Sequence, residues 1–309
     1  MTVDCPPPDA CAEAARGALS ASTERARRSD LRIFAGWCAE RGRPSLPDDP
    51  ATVAAFVESM SETRAPATVR RYVASVAAAG RAAGAGGNGT AEPVRLALQR
   101  MHRRKGRRQE QATGLTFALR QRMLEAAGDR LIDDRNRALL AVAYDTLLRR
   151  SELVALEVSD IVAETGGAAT VLVRRSKADP EGRGETVYLA PDSMALVRTW
   201  LRRGGVGEGR VFRSLCRGSL GDGLDTSQVP RIFKAMARRA GLPEETVERI
   251  SGHSARVGAA QDMVAAGIGM AAILQAGRWK SPAMVNRYGE RILATRSGAA
   301  QLARRQQRG

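Results

Sequence analysis

Ser251-Gly252-His253-Ser254-Ala255-Arg256-Val257-Gly258-Ala259-Ala260 is the stretch on which the reading of this chain turns. From Ser254 onward, Val257, Ala260, Met263 and Val264 recur at helical spacing, which predicts an amphipathic helix with those residues inward. His253 and Arg256 are three apart, so they meet on one face of its first turn. A titratable imidazole beside a permanent cation at a helix N-terminus is suited to handling phosphate. Further on come the short run Gly277-Arg278-Trp279 and then Tyr288, on a helix opened by Ser281-Pro282.

Working back from this stretch, apolar periodicity predicts a helix over Asp133–Leu148 with Leu139, Leu140, Ala143 and Leu147 inward. Ser151 is expected to cap a short helix running to Leu156. Three strand-like segments follow, Leu156–Val162, Ala169–Arg174 and Thr186–Ala190, with a polar turn around Lys177 between the second and third. From Pro191 onward the pattern reads as helix only. The first hundred residues also read as helices. One runs from Thr23 to about Gly42 with Leu31, Phe34, Trp37 and Cys38 on a stripe. One is opened by Asp49-Pro50, one starts near Pro66, and one spans about Glu92 to Arg104. The polar run after it lacks periodicity. The expected organisation is therefore a helical domain over 1–104, a basic linker over 105–115 and a second domain over 116–309. A length of 309 residues suits two domains.

The formal net charge is +16, and the basic residues cluster. Arg95 to Arg108 holds seven Lys or Arg and no acid, which points to nucleic acid as partner. Candidate DNA contacts are Arg25, Arg28 and Arg32 on the first helix, Arg70 and Arg71 on the third, and Arg103, Arg104 and Lys105 at the linker. The chain has only four lysines, Lys105, Lys177, Lys234 and Lys280, among 49 basic residues, so each retained lysine invites a chemical reason. The four cysteines, Cys5, Cys11, Cys38 and Cys216, have no metal-ligand spacing, and His102 lies far from His253. No metal and no cofactor are expected. No apolar run approaches the roughly 18 residues of a membrane span. The start has no basic region followed by an apolar stretch. The expectation is a cytoplasmic, nucleoid-associated protein.

Taken singly, Arg149 reads as a snorkelling surface arginine, Lys177 as turn chemistry, His253 with Arg256 as a helix-cap pair, and Tyr288 as a core tyrosine. Together, the order Arg149, Lys177, His253, Arg256, Trp279, Tyr288 resembles the active site of the tyrosine recombinases of the phage integrase family. The supporting stretches are Asp145–Leu153, Ser251–Ala260 and Gln275–Trp279; Trp279 stands where many family members have histidine. The resemblance covers nearly all of the chain beyond about residue 20, and it is weaker in the first half.

The resemblance implies a mainly α protein. Its parts would be an N-terminal helical core-binding domain and an α+β catalytic domain with a small three-stranded sheet, together forming a C-shaped clamp on double-stranded DNA. It implies that Tyr288 forms a 3′-phosphotyrosyl bond, that Arg149 and Arg256 stabilise the charged transition state, and that Trp279 adds a hydrogen bond. His253 would act as acid/base group or as a transition-state donor, and Lys177 would protonate the leaving 5′-oxygen, a task for which arginine is a poor donor. Glu152 is expected to orient the site. The implied reaction is site-specific recombination through a Holliday junction, by a protein that is monomeric when free and tetrameric on inverted-repeat sites. The segment after Tyr288, with Ile292, Leu293, Ala299, Ala300 and Leu302, would dock on a neighbouring subunit. The alternatives are a type IB topoisomerase-like strand transferase without synapsis, and a catalytically silent DNA-binding protein.

Overall fold

The computed structural model describes residues 19–308 except 44, 46–48, 85–87, 109, 177, 178, 180 and 217. Cys5, Cys11 and the candidate acid Lys177 lie outside the described residues. The chain divides into two compact units, Met1–Glu110 and Gln111–Gly309.

The first unit contains α1 (Ala21–Glu40), α2 (Pro50–Thr63), α3 (Pro66–Ala82) and α4 (Glu92–Lys105). Side chains cap α1 and α2, from Ser20 and Asp49, while α3 and α4 have no side-chain cap and begin with a proline in the first turn. The Asp49 carboxylate accepts from the backbone N–H of Ala51 at 3.0 Å and of Thr52 at 3.1 Å, and Pro50 fits the first turn, where its missing N–H costs nothing. Phe56 is the centre of the core. Phe34 and Trp37 pack edge-on against it with ring centroids 5.1 and 5.3 Å away. Each such buried aromatic contributes about 1.5–3 kcal/mol. Asp30 is also fully buried, and it is satisfied by Arg71 at 2.9 Å and by the Ser75 hydroxyl at 2.8 Å.

The second unit contains α5 (Phe117–Glu125), α6 (Leu131–Asp145) and α7 (Arg150–Ala155), then β1 (Ile161–Ala163), β2 (Ala169–Val173) and β3 (Glu185–Leu189). The three strands form an antiparallel sheet in the order β1-β2-β3. After α8 (Pro191–Gly204) come β4 (Leu215–Cys216) and β5 (Ser219–Leu220). The remaining helices are α9 (Gln228–Arg239), α10 (Glu244–Glu248), α11 (Ser254–Ala265), α12 (Met270–Gly277), α13 (Ala283–Tyr288), α14 (Glu290–Ala294) and α15 (Gly298–Arg305). Among the described residues, no helix is long and apolar enough to cross a membrane. No group of three His, Cys, Asp or Glu among them is placed to hold a metal ion.

Several expectations need correction. Helix α5 was not among the expected helices: it carries no clear apolar stripe, because its buried face includes Arg120, whose guanidinium is held by Ser193 at 2.7 Å and Asp192 at 3.0 Å. The strand expected over Leu156–Val162 shrinks to β1 behind a tight turn at Val158–Asp160. The Asp160 carboxylate closes that turn by accepting from the Glu157 N–H at 2.9 Å. The stretch after Pro191 is not all helix: β4 and β5 form a small ribbon, with Gly218 at φ 83°. Ser151 is not the cap of α7; Arg149 holds the cap position, and the Glu152 carboxylate accepts the Arg149 N–H at 2.9 Å. Helix α11 is not amphipathic in its first two turns, where Ser254 through Ala260 are all buried. A helix buried all round belongs inside a unit, and this one is the axis on which the site is built.

Candidate active site

Helix α11 is clamped before it presents any chemistry. The segment entering α5 runs along it: the Leu115 N–H donates to the Ser254 carbonyl at 2.8 Å, and the Phe117 N–H donates to Asp262 at 2.6 Å. The approach is close enough that a Cβ on Gly258 would collide with the Leu115 carbonyl. His253 caps the helix start, with its N–H on the Ser251 hydroxyl at 3.1 Å. Arg256, one turn in, is 3 % exposed. Its two Nη groups donate to the carbonyls of Leu147 and Gly277, and its guanidinium lies over the Trp279 ring, 4.4 Å from the centroid. Leu147 has φ 49°; it follows α6 and directs one of those carbonyls. Burial first, and then the charges of Arg149 and Arg278, lower the Arg256 guanidinium to about 10. It therefore remains a cation at neutral pH.

Trp279 in turn meets Tyr288 edge-on, with ring centroids 6.0 Å apart and an interplanar angle of 64°. Tyr288 is the last residue of α13, and its carbonyl accepts from Gln261 of α11 at 3.1 Å. Burial pushes the Tyr288 phenol up, against the pull of Arg256, Arg287 and Arg149. The His253 side chain keeps an exposed edge, yet enough protein surrounds the ring to disfavour its charge. Burial, then Arg256, Arg150 and Arg149, hold it below the ordinary histidine value. Arg149 donates Nη1 to Glu152 Oε1 at 2.7 Å and keeps a partly open side chain, 22 % exposed. Glu152 is buried; burial pushes its carboxyl up, but Arg278 and both the backbone and side chain of Arg149 outweigh that and hold it below the usual range.

Arg149, Glu152, His253, Arg256, Trp279 and Tyr288 are thus brought within mutual reach. Lys177 belongs to the β2–β3 connection, outside the described residues. Arg278 was not singled out by the sequence: it is 6 % exposed and donates to Glu152 Oε2 at 2.5 Å. A charged residue directly after a helix-ending glycine was the available signal.

The candidate DNA contacts differ among themselves. Arg25, Arg28, Arg32, Arg70 and Arg103 are exposed. Arg71 is engaged with buried Asp30. Arg104 donates to the Ser61 hydroxyl at 2.9 Å, and Lys105 holds the carbonyls of Glu62 and Arg64 at 3.1 and 3.3 Å. These three brace their own unit as well as adding charge. The tail also departs from expectation. Ile292 and Leu293 pack against the cluster of Val264, Ile273 and Val285 in their own unit, which leaves Leu302, 51 % exposed, and Ala299 on α15 as outward apolar groups.

Buried cations, an indole, an imidazole and a tyrosine, gathered on a mainly helical unit with a three-stranded sheet, define a tyrosine recombinase. Residues 115–291 match the phage integrase family, and the chain belongs to that family as a tyrosine site-specific recombinase. It is 30 % identical over 291 residues to the Cre recombinase of Escherichia phage P1, covering 88 % of this chain and 85 % of that protein. It is 27 % identical to the integrase/recombinase XerD homologue of Selenomonas ruminantium, covering 86 % and 81 %. Among solved structures, the Tn1549 transposon integrase in complex with transposon right end DNA superposes with a TM-score of 0.67 at 16 % identity, covering 94 % of this chain and 98 % of that one.

Proposed function

We propose that Tyr288 attacks a DNA phosphate, forming a 3′-phosphotyrosyl bond and releasing a 5′-hydroxyl. The energy of the phosphodiester is kept in the new bond, so religation needs no external energy source. Arg149 and Arg256 take up the charge that gathers on the non-bridging oxygens, and the Trp279 indole N–H donates to the same phosphate. His253, neutral at rest, is the acceptor for the tyrosine proton. Lys177, on the β2–β3 connection, supplies a proton to the 5′-oxygen. Exposed Arg25, Arg28, Arg32, Arg70 and Arg103, together with Arg71, Arg104 and Lys105, add to DNA affinity. The helical unit over 1–104 and the catalytic unit over 116–309 both contact the duplex, joined by the basic stretch 105–115. Two inverted-repeat sites bring four chains together for strand exchange through a Holliday junction; the free protein is a monomer. Subunit contact falls to α15, since α14 is already packed at home.

The observation that carries this reading is the series Arg256 over the Trp279 ring and Trp279 edge-on to Tyr288, with Arg149 and His253 beside it. The test is a nicked duplex whose cleaved strand loses a short 5′-hydroxyl fragment. Wild type is expected to be trapped as a covalent adduct at 1:1 with the half-site. Tyr288→Phe is expected to bind equally and trap none. Undiminished adduct in that variant would refute the assignment.

A further inference from the structure

Helix α12 ends in a pattern that ordinarily asks for glycine. The Trp279 N–H returns to the Leu274 carbonyl at 2.9 Å and the Arg278 N–H to the Gln275 carbonyl at 3.0 Å. That pair of bonds places the intervening residue in the left-handed region, where glycine and sometimes asparagine are found. Here the residue is Arg278, at φ 53° and ψ 47°. A side chain with a Cβ pays about 1–2 kcal/mol there. The burial adds to the problem, because the Arg278 side chain is only 2 % exposed. Its Nε and Nη1 have no hydrogen-bond partner among the described residues. A strained, desolvated and half-satisfied cation does not stabilise a helix end; where a chain keeps one against local preference, the reason lies in what the group touches.

Arg278 touches Glu152. The Glu152 carboxylate is shared: Oε1 takes Arg149 Nη1 at 2.7 Å, while Oε2 takes both the Arg149 N–H at 2.9 Å and Arg278 Nη2 at 2.5 Å. On its other side, Arg278 Nε lies 3.9 Å from the Glu185 carboxylate on β3. Val173 and Glu185 face each other across the β2–β3 pair, so Glu185 stands at the end of the sheet that carries the connection containing Lys177. Arg278 therefore joins three parts of the unit: the α7 cap with Arg149, the turn before Trp279, and the lysine-bearing end of the hairpin.

We infer that Arg278 is a positioning residue for DNA cleavage, acting through Glu152 to fix the Arg149 guanidinium for the scissile phosphate. It is too deeply buried to meet the phosphate itself. The inference rests on Arg149 being a transition-state cation. Without Arg278, Glu152 has one cationic partner instead of two, and its carboxylate is free to swing with Arg149. A displacement of about 1 Å at a reacting centre costs up to about 10²-fold in rate.

The test compares Arg278→Gly, Arg278→Lys, Glu152→Gln, Arg149→Ala and the double variant Arg278→Gly with Glu152→Gln, all as full-length protein on the nicked substrate. Glycine removes the guanidinium and also relieves the backbone strain, so Arg278→Gly is expected to fold and bind DNA. Its single-turnover cleavage, per DNA-bound molecule, is expected to fall about tenfold or more. Lysine keeps a cation on Glu152 and is expected to recover most of the rate. Should Arg278→Gly unfold, the lysine variant and Glu152→Gln carry the comparison.

Two further readouts separate positioning from mere stability. In the double variant, removing Arg278 on top of Glu152→Gln is expected to cost little more, because the route through Glu152 is already gone. The acid limb of the cleavage rate is also expected to move to higher pH in Arg278→Gly. Glu152 faces Arg149 at the α7 cap, Arg278 after α12, and Arg256 and His253 on α11; losing one of these cations raises the carboxyl. Wild-type rate and pH profile in Arg278→Gly, or a loss that adds fully to that of Glu152→Gln, would overturn the inference. If Arg149→Ala itself cleaves normally, the reading of Arg149 fails and the inference falls with it; if Arg149→Ala is inactive and Arg278→Gly is normal, only the inference falls.

Discussion

Removing the Arg256 guanidinium is expected to destabilise the catalytic unit as well as slow the chemistry. Its two Nη groups hold the carbonyls of Leu147 and Gly277, and its plane covers Trp279 at 4.4 Å. In Arg256→Ala, both carbonyls lose a donor in a buried setting, at about 1–3 kcal/mol each. The stacking interaction adds about 0.5–2 kcal/mol. Against this, a desolvated charge is removed, which returns part of the loss. A net cost of about 2–4 kcal/mol follows, which for a unit of this size means a Tm lower by about 4–15 °C. Arg256→Lys keeps the charge, but one ammonium cannot span two carbonyls and stack at the same time, so it should recover less than half of the lost stability. Thermal unfolding of the full chain by calorimetry reads the first effect, and single-turnover cleavage well below the variant's Tm reads the second, expected at about 10²-fold or more. A Tm within about 1 °C of wild type, a difference well under 1 kcal/mol, would mean that the two carbonyl bonds do not hold the fold and that Arg256 is a loose phosphate ligand.

Replacing the scissile 5′-oxygen by sulfur gives a leaving group that needs no proton, so Lys177→Ala should cleave the normal substrate slowly and the sulfur substrate nearly as fast as wild type; equal defects on both would mean that Lys177 is no acid. Gly258→Ala should lower the Tm through a clash of about 1–3 kcal/mol between its Cβ and the Leu115 carbonyl, and an unchanged Tm would show that the segment before α5 can lift from α11. Arg25, Arg28 and Arg32 changed together to Ala should flatten the plot of log affinity against log salt by up to about 0.9 for each DNA phosphate they neutralise in the wild type, with little effect on the cleavage rate of bound DNA; an unchanged slope would place the DNA-binding face elsewhere on the unit.

The helices of the first unit were legible because capping and periodicity agree there. Asp49-Pro50 starts α2 where expected, and Phe34, Trp37, Phe56 and Tyr72 form the core their spacing suggests. The start of α11 at Ser254 also falls where expected, although its first two turns are buried all round and lack the amphipathic pattern that placed it. What could not be read were features whose cause lies elsewhere in the chain. Arg120 gives α5 a charged inward face that only the distant Asp192 and Ser193 explain. The buried polar face at the start of α11 depends on Leu115 crossing it. Arg149 has the sequence surroundings of an ordinary surface arginine; Glu152, three residues on, was an expected partner, but only the folded chain brings Arg278 to the same carboxylate. The order of the site residues was visible in the chain, but the shared carboxylate and the placing of Arg256 over Trp279, itself edge-on to Tyr288, arise only when α7, α11, α12 and α13 meet.

The same geometry explains why the buried cation of this site is arginine and not lysine. Arg256 is fixed before DNA arrives: two carbonyls and an indole face hold its rotamer, so little ordering remains to be done in the transition state. That fixation requires burial, which together with neighbouring cations brings the guanidinium down to about 10. Arginine starts high enough to stay charged after such a fall. A lysine starts lower, at about 10.4, so the same burial would bring it closer to losing its proton at neutral pH. For the role proposed for Arg256 this would be a defect, because that role needs the charge whenever the phosphate is present. For a group that must hand over a proton, the same sensitivity is useful. The one lysine among the proposed catalytic residues is placed by the sequence between β2 and β3, so the proposed mechanism assigns a permanent charge to arginine at 256 and a transferable proton to lysine at 177, residue types that suit those tasks.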